Sequence, residues 1–150
     1  MQTDNLLLQS MDVIKLEGED KRLYYLVAHL VMNEDVLAYN LNYPYKTSPG
    51  YTWFVATDKG DTLGFVPVKL EEGKAKINNY YVANDDAAVF SVLLKEVVRT
   101  LSADYEIESV TQLRHIPDFE RNSFAVVLFW KRYAKMKVFK LSGNNDEKRL

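Results

Sequence analysis

The chain has 150 residues, of which 47% are hydrophobic and 27% carry a charge. This length and composition predict one globular domain that buries its own core. The net charge of -2 argues against a nucleic-acid or anionic-membrane partner, because both bind clustered basic surfaces. The absence of cysteine excludes disulfides, thiol nucleophiles and thiolate metal sites. The two histidines, His29 and His115, lie too far apart to predict a metal site.

The start of the chain has no feature of a targeting signal. Residues 1 to 10 contain no basic segment, and Leu6-Leu7-Leu8 is too short for a signal core or a membrane span. We therefore expect a cytoplasmic protein with a loose arm over residues 1 to 10.

Apolar periodicity predicts a strand and two helices in the first third of the chain. Residues 11 to 16 alternate in polarity, which is typical of a short strand. Gly18-Glu19-Asp20 opens a helix, because acidic residues suit the positive end of the helix dipole. Its core-facing stripe consists of Leu23, Leu26, Val27, Leu30 and Val31. A shorter helix begins at Asn33 and runs to Leu41.

A loop over residues 42 to 50, with two prolines, is flanked and filled by aromatic side chains. Its tyrosines and those beside it are Tyr39, Tyr43, Tyr45 and Tyr51. Aromatic side chains on a polar loop can line a ligand site, because they supply apolar area and a hydroxyl at low entropic cost. They can equally cover the core as a lid, and the sequence leaves both interpretations open.

Three strands joined by tight turns are predicted over residues 51 to 82. The first, 51 to 57, is apolar on both faces, which indicates a central strand. The second, 62 to 70, contains Pro67, which cannot donate to a ladder and indicates a bulge or a strand end. The third is predicted as one continuous strand from 74 to 82.

The clearest helix begins at Asp85 or Asp86, either of which is a natural N-cap. Its apolar stripe consists of Phe90, Leu93, Leu94, Val97, Val98 and Leu101. We expect Trp53 and Phe65 to belong to the same core as this stripe. A strand at 106 to 113 then returns parallel to the third strand through a right-handed crossover, so the sheet is mixed.

A short helix at 117 to 121 and two closing strands, at 124 to 128 and 133 to 141, complete a single domain over residues 1 to 141. Lysines alternate with apolar residues along the last strand, which is typical of a solvated strand face. Residues 142 to 150 are polar and are predicted to be a disordered tail.

The order of these elements resembles the GNAT-type N-acetyltransferases over residues 11 to 141. The resemblance rests on the hairpin segments 53 to 56 and 63 to 66, the strand 77 to 82, the segment 119 to 124 (Phe-Glu-Arg-Asn-Ser-Phe) and the terminal strand 130 to 136. It implies an α+β fold (an α/β mixed sheet), the acyl-CoA N-acyltransferase fold, with three α/β/α layers and a splayed sheet. It also implies acetyl-CoA as cofactor and a primary amine, on a small molecule or a protein, as acceptor.

In that family the helix after the third strand begins Arg/Gln-x-x-Gly-x-Gly/Ala, and the glycines let backbone N–H groups approach the coenzyme A diphosphate. Here Asp85 stands at the cation position, Ala88 at the first glycine and Phe90 at the second. Asp85 and Asp86 would repel a diphosphate, and no cation is evident nearby in the sequence. The residues that the resemblance assigns to cofactor binding are Tyr81, Val82, Ala87, Ala88 and Val89.

The family's usual acid, a tyrosine that protonates the leaving thiolate, is replaced here by Phe119. Its asparagine shortly before that segment is matched by Gln112. The candidate catalytic residues that remain are Tyr80, Tyr81, His115 and Tyr133. Among them His115 alone has an ordinary pKa in the physiological range. The candidate substrate-binding residues are Tyr39, Tyr43, Tyr45, Asn78 and Asn79.

Two functions remain open at this point. One is an active N-acetyltransferase, in which the amine attacks the acetyl thioester directly and no covalent enzyme intermediate forms. The other is a catalytically inactive domain of the same fold that has lost coenzyme A and binds a protein partner or a small ligand in the same cleft. The acidic loop and Phe119 separate the two, and acetyl-CoA is expected to bind weakly or not at all. No metal is expected, and the sequence assigns no oligomeric state.

Overall fold

The computed structural model describes residues 11–139, so the arm predicted for residues 1 to 10 and the tail predicted for 142 to 150 lie outside it. The elements in chain order are β1 (Met11–Glu17), α1 (Lys21–Val31), α2 (Glu34–Tyr39), β2 (Tyr51–Asp58), β3 (Asp61–Glu71), β4 (Lys74–Ile77), β5 (Tyr81–Val82), α3 (Ala87–Leu101), β6 (Glu106–Gln112), α4 (Ile116–Glu120), β7 (Phe124–Phe129) and β8 (Tyr133–Val138). Short 3-10 turns precede α3 and α4, at Ala83–Asp85 and Leu113–His115.

The strands form one mixed sheet in the order β1-β2-β3-β4-β6-β8-β7, with β5 paired to β3. β4 runs parallel to β6, from the pair Lys74–Glu106 to the pair Ile77–Ser109. The other pairings among residues 11–139 are antiparallel. Helix α3 lies in the connection between the two parallel strands. β6 continues to Gln112 after β4 has ended, so the two strands part, which confirms the mixed, splayed sheet.

The third strand of the meander is interrupted, so the prediction of one strand from 74 to 82 was wrong. β3 pairs with β4 through Lys69–Lys76 and with β5 through Phe65–Tyr81, while residues 78–80 leave the ladder. Between these two pairs the β4–β5 side has one residue more than β3, which makes a bulge. Pro67 lies in the stretch of β3 that faces this break, where a residue without an N–H cannot sustain a ladder.

Close packing of β5 on β3 depends on the glycine at position 64. A Cβ at Gly64 would lie 2.6 Å from the carbonyl oxygen of Tyr81 and 3.3 Å from the side chain of Val89. Both distances are shorter than ordinary van der Waals contact. Because Gly64 has no side chain, β5 and the first turn of α3 can pack closely against β3 just after the break.

The sheet buries a separate core on each face. The core under α3 and α4 includes Phe54, Phe90, Leu94, Val97, Leu101 and Phe119, with Val98 packed at its edge. The core under α1 and α2 consists of Leu16, Leu23, Val27, Val36, Trp53, Val55 and Phe65. The prediction of a single core was therefore wrong for Trp53 and Phe65, because successive strand residues point to opposite faces.

Polar side chains cap the three longer helices at the starts that the sequence indicates. Asp20 caps α1, Asn33 caps α2 and Asp86 caps α3, each by accepting backbone N–H groups of the first turn. Among residues 11–139, no helix has the length and hydropathy that a membrane crossing requires.

Candidate functional site

A cavity of about 450 Å³ opens beside the break in the sheet. Its lining includes Tyr43, Lys46, Lys69, Asn78, Asn79 and Tyr133. Lys69 pairs with Tyr51, which is two residues from Trp53, so the cavity lies on the face of the sheet that carries α1 and α2. The buried amide of Asn40 donates to the carbonyl oxygen of Tyr43 at 2.8 Å and holds the tyrosine-rich loop at the cavity wall.

On the opposite face, buried polar side chains fill the space where β4 and β6 part. The hydroxyl of Tyr80 accepts the backbone N–H of Gln112 at 3.0 Å and lies 2.7 Å from Nδ1 of His115. Nε2 of His115 lies 2.8 Å from Oδ1 of Asp85. Tyr80 is 2% exposed and His115 is 1% exposed, so the phenol and imidazole close this gap from water.

The charge state of the cluster follows from its partners. Burial alone would raise the pKa of Asp85, but hydrogen bonds from Arg114, Tyr39 and His115 outweigh it and lower the pKa. Burial lowers the pKa of His115, with partial compensation from Asp85. A neutral imidazole beside an ionised carboxylate carries its proton on Nε2 and donates it to Asp85. Nδ1 then accepts from Tyr80, whose pKa burial raises well above its ordinary value, so the phenol stays protonated.

Arg114 supplies the cation that the sequence did not reveal, and it corrects the expectation that nothing offsets the charge of Asp85. Its Nε donates to Oδ2 of Asp85 at 3.0 Å, and its guanidinium lies 5.0 Å from the ring centroid of Tyr39. Its NH1 group also donates to the side chain of Gln112. The sequence gives one indication that Arg114 lies near Asp85, namely its position directly after β6. The crossover through α3 places the end of β6 beside the start of that helix.

The first turn of α3 determines whether a diphosphate fits there. Oδ1 of Asp86 accepts the N–H groups of Ala88 at 2.8 Å and Val89 at 3.3 Å. These are the donors that a bound phosphate would need at a helix N-terminus. Because a carboxylate already occupies them and neither Ala88 nor Phe90 is a glycine, the residues present do not fit the diphosphate of coenzyme A.

The sequence-predicted site residues separate into four groups in the structure. Tyr43, Asn78, Asn79 and Tyr133 line the cavity. Tyr80 and His115 meet in the buried cluster, and Tyr39 stacks on His115 with ring centroids 5.5 Å apart. Tyr45 and Tyr81 pack against Phe65 in the core under α1 and α2. Val82 and Val89 are buried beside Ala88 in the α3-side core, and Ala87 begins α3.

The arrangement places two kinds of polar group on the two sides of the break. On the cavity side, burial raises the pKa of the Tyr133 hydroxyl, with a further rise from nearby Tyr43, so Tyr133 remains a proton donor at neutral pH. On the α3 side, Tyr80 and His115 are hydrogen-bonded and shielded from water, while the Asp85 carboxylate at the end of the chain is 40% exposed. Among the four candidate catalytic residues, Tyr133 is the one that lines the cavity. Within residues 11–139, no group of three or more histidine or acidic side chains is arranged to hold a metal ion.

No protein-family model and no curated protein matches the sequence. Solved structures do match its fold. ElaA of Escherichia coli has a TM-score of 0.68 at 11% identity, covering 86% of this chain and 99% of its own. An acyl-CoA N-acyltransferase from Pseudomonas aeruginosa has a TM-score of 0.65 at 14% identity, covering 85% and 99%. A PaiA N-acetyltransferase from Thermoplasma acidophilum in complex with coenzyme A has a TM-score of 0.56 at 15% identity, covering 85% and 98%. This chain therefore has the fold of the GNAT-type acyl-CoA N-acyltransferases.

Proposed function

We propose that the protein is an N-acyltransferase that transfers an acetyl group from a thioester to a primary amine held in the cavity at the sheet break. The observation that carries this proposal is the interruption at residues 78–80, where β4 and β6 part and the cavity opens beside them. Backbone groups outside a ladder can turn toward a reacting carbonyl and stabilise the charge that develops on its oxygen. The fold shared with N-acetyltransferases supports the same reaction class.

The cavity suits an amine nucleophile. The side chains of Asn78, Asn79 and Tyr43 offer hydrogen-bond partners to the amine. Tyr133 can donate a proton to the thiolate that leaves when the thioester is cleaved. Lys46 and Lys69 disfavour the ammonium form of an amine placed beside them, because like charges repel. The neutral amine, which is the nucleophile, is thereby favoured. Direct attack needs no covalent intermediate, in keeping with the absence of cysteine.

Acetyl-CoA is the proposed donor by analogy with the N-acetyltransferases of this fold, and because its diphosphate does not fit the first turn of α3, its affinity should be low. We expect a dissociation constant of about 0.1–1 mM, or no binding, because micromolar affinity would need roughly 4 kcal/mol more than millimolar affinity. Displacing the Asp86 carboxylate from Ala88 and Val89 offsets part of what a diphosphate would gain there.

Calorimetry with acetyl-CoA on a matched pair of variants tests this account. Asp86→Gly frees both N–H groups and should tighten binding about tenfold, since a glycine N-cap costs a helix only a few tenths of a kcal/mol. Asp86→Asn keeps the cap but removes its charge, and should tighten binding only about threefold through the helix dipole. Low-micromolar affinity in the unmodified protein would overturn the low-affinity expectation and favour an ordinary active transferase.

A second function is favoured by one specific observation: protein side chains already occupy both places where coenzyme A would be expected to bind. Asp86 occupies the N-terminus of α3, and Tyr80 with His115 fills the gap between the parting strands. This would suit a catalytically inactive domain that binds a small ligand or a protein partner in the cavity. Absence of acetyl-CoA binding in the wild type and in both Asp86 variants would favour this alternative.

A further inference from the structure

The cavity and the cleft beside it are lined by more lysines than carboxylates. No acidic residue lines the cavity, whereas Lys46 and Lys69 do. Among residues 11–139, Lys46 forms no ion pair. Its ammonium group therefore remains available to a ligand. Tyr43, Tyr133 and Asn79, which carry hydroxyl and amide donors, line the same cavity.

The neighbouring cleft, of about 320 Å³, shares Lys69 and Asn78 with the cavity and extends the same charge pattern. Its two carboxylates are each shared between two lysines. The carboxylate oxygens of Glu71 lie 3.0 Å from Nζ of Lys76 and 3.7 Å from Nζ of Lys69. Glu108 lies 3.8 Å from Lys74 and 4.0 Å from Lys135. The cleft, which includes Lys135 of the last strand, is thus lined by more lysines than carboxylates, although the whole chain has a net charge of -2.

We propose that the cavity selects an amine that also carries an anionic group, a carboxylate or a phosphate, with Lys46 and Lys69 holding the anion. The claim that the amine is acetylated rests on the proposed function. The claim that an anionic group is bound rests only on the charge of the cavity lining. A cleft lined by one sign of charge concentrates ligands of the opposite sign. Lysine binds carboxylate and phosphate oxygens as a point charge, and the asparagine and tyrosine donors can complete their hydrogen bonds.

The same geometry disfavours polycationic amines. A ligand with several ammonium groups would need carboxylates to face it, and the two that are near, Glu71 and Glu108, are already shared with lysines. Such a ligand would also bring its charges beside Lys46 and Lys69. Like-charge contacts of this kind select against a partner as strongly as attractive contacts select for one.

Amide NMR titration without any acyl donor tests the ligand class independently of acyl transfer. The probes are trialanine, trialanine amide, phosphoethanolamine and spermidine. Trialanine and its amide share the amine and differ only in the carboxylate. We expect trialanine or phosphoethanolamine to shift the resonances of Asn78 and Asn79 and to bind at least about tenfold more tightly than trialanine amide or spermidine, equivalent to about 1.4 kcal/mol. Whichever of the two anionic amines binds more tightly identifies the carboxylate or phosphate source.

Two lysine variants with a matched control locate the anion. Lys46→Gln and Lys69→Gln should each remove most of the preference for the anionic amine, because glutamine keeps the stem but not the charge. Lys95→Gln, on the exposed face of α3, should leave the preference unchanged. The inference would be overturned by tighter binding of spermidine than of both anionic amines, or by no shift with either anionic amine. Equal binding of trialanine and its amide would also overturn it if phosphoethanolamine binds no more tightly than they do.

The outcomes also separate this inference from the proposed function. An anionic amine that binds in the cavity but is never acetylated would leave the ligand class standing and remove the transferase. An acetylation activity that prefers neutral or polycationic amines would leave the transferase standing and remove the anion site.

Discussion

At the scale of single residues, the least expected feature is the hydrogen-bonded chain from buried Tyr80 through buried His115 to the exposed carboxylate of Asp85. His115 stands as an isolated histidine in the sequence, and 30 positions separate it from its carboxylate partner. Tyr80 and Gln112 are 32 positions apart, yet their hydrogen bond bridges the two strands where they part. Each polar group in the chain has a partner, which is what burial of polar groups requires.

Removing the Tyr80 hydroxyl tests how much this bridge contributes. In Tyr80→Phe, the N–H of Gln112 and Nδ1 of His115 lose their partner while the ring stays in place. We expect the free energy of unfolding to fall by about 1–3 kcal/mol, the cost of leaving buried polar groups unpaired. Urea denaturation measures this loss of unfolding free energy. Tyr24→Phe, at a residue that is 68% exposed, is the control and should change it by less than about 0.5 kcal/mol.

His115 predicts a pH dependence of stability. Its folded-state pKa is lowered below the unfolded value of about 6.5, so the unfolded chain binds more protons as the pH falls through that value. The free energy of unfolding should therefore decrease from about pH 7 downward, and Asp85, whose pKa is also lowered, should add a further decrease below about pH 4.

A histidine exchange isolates the upper part of this pH dependence. His115→Asn offers Tyr80 an acceptor that does not titrate, and should flatten the stability profile between about pH 7 and pH 5. His29→Asn, at the exposed second histidine on α1, should retain the wild-type slope. A wild-type slope in the His115 variant would show that the titration of His115 does not cause the pH dependence in this range.

At the scale of elements, α3 was predicted most accurately because its signal is local. The apolar spacing along one face places Phe90, Leu94, Val97 and Leu101 in the core, and Asp86 caps the helix as the sequence indicates. The strand from 74 to 82 was predicted least accurately. Strand-forming residues lie on both sides of Asn78 and Asn79, so the two asparagines gave no clear stop, while the break follows from Pro67 on another strand and from the divergence of β4 and β6.

Truncation of the α3 stripe should be costly. Leu94 is fully buried, and Leu94→Ala should lower the free energy of unfolding by about 2–5 kcal/mol, as for buried leucines generally. Lys95→Ala, the next residue but on the exposed face, should change it by less than about 0.5 kcal/mol. Chemical denaturation of both variants measures the difference, and a loss well under about 1 kcal/mol for Leu94→Ala would show that the stripe does not form this core.

At the scale of the whole molecule, two cores share the central strands. Phe54 belongs to the core under α3 and its neighbour Val55 to the core under α1 and α2, and both are fully buried. Neither core can lose its strands without exposing the other. We therefore expect the domain to unfold in one cooperative transition, as most single domains of this size do.

Fluorescence of Trp53 reports on the α1–α2 core, because Trp53 is 2% exposed there. In a Trp130→Phe background, which removes the more exposed indole, the Trp53 transition should coincide with the loss of far-ultraviolet circular dichroism in urea. Two separated midpoints would contradict cooperative unfolding and show that the two faces unfold independently.

The sequence by itself determined the elements whose signals lie within a few residues: the helical stripes, their caps, the hairpin turns and the order that resembles the GNAT fold. The resemblance also grouped Tyr43, Asn78 and Asn79 as candidate substrate-binding residues, and all three line the cavity, although the strand break beside them was not predicted. Only the tertiary structure decided which face each strand residue occupies, that Arg114 offsets the charge of Asp85 while His115 donates a hydrogen bond to it, and that Tyr80 closes the gap between β4 and β6. Those contacts join residues that are distant along the chain, and they depend on sheet register and on the direction of the crossover, which no local periodicity encodes.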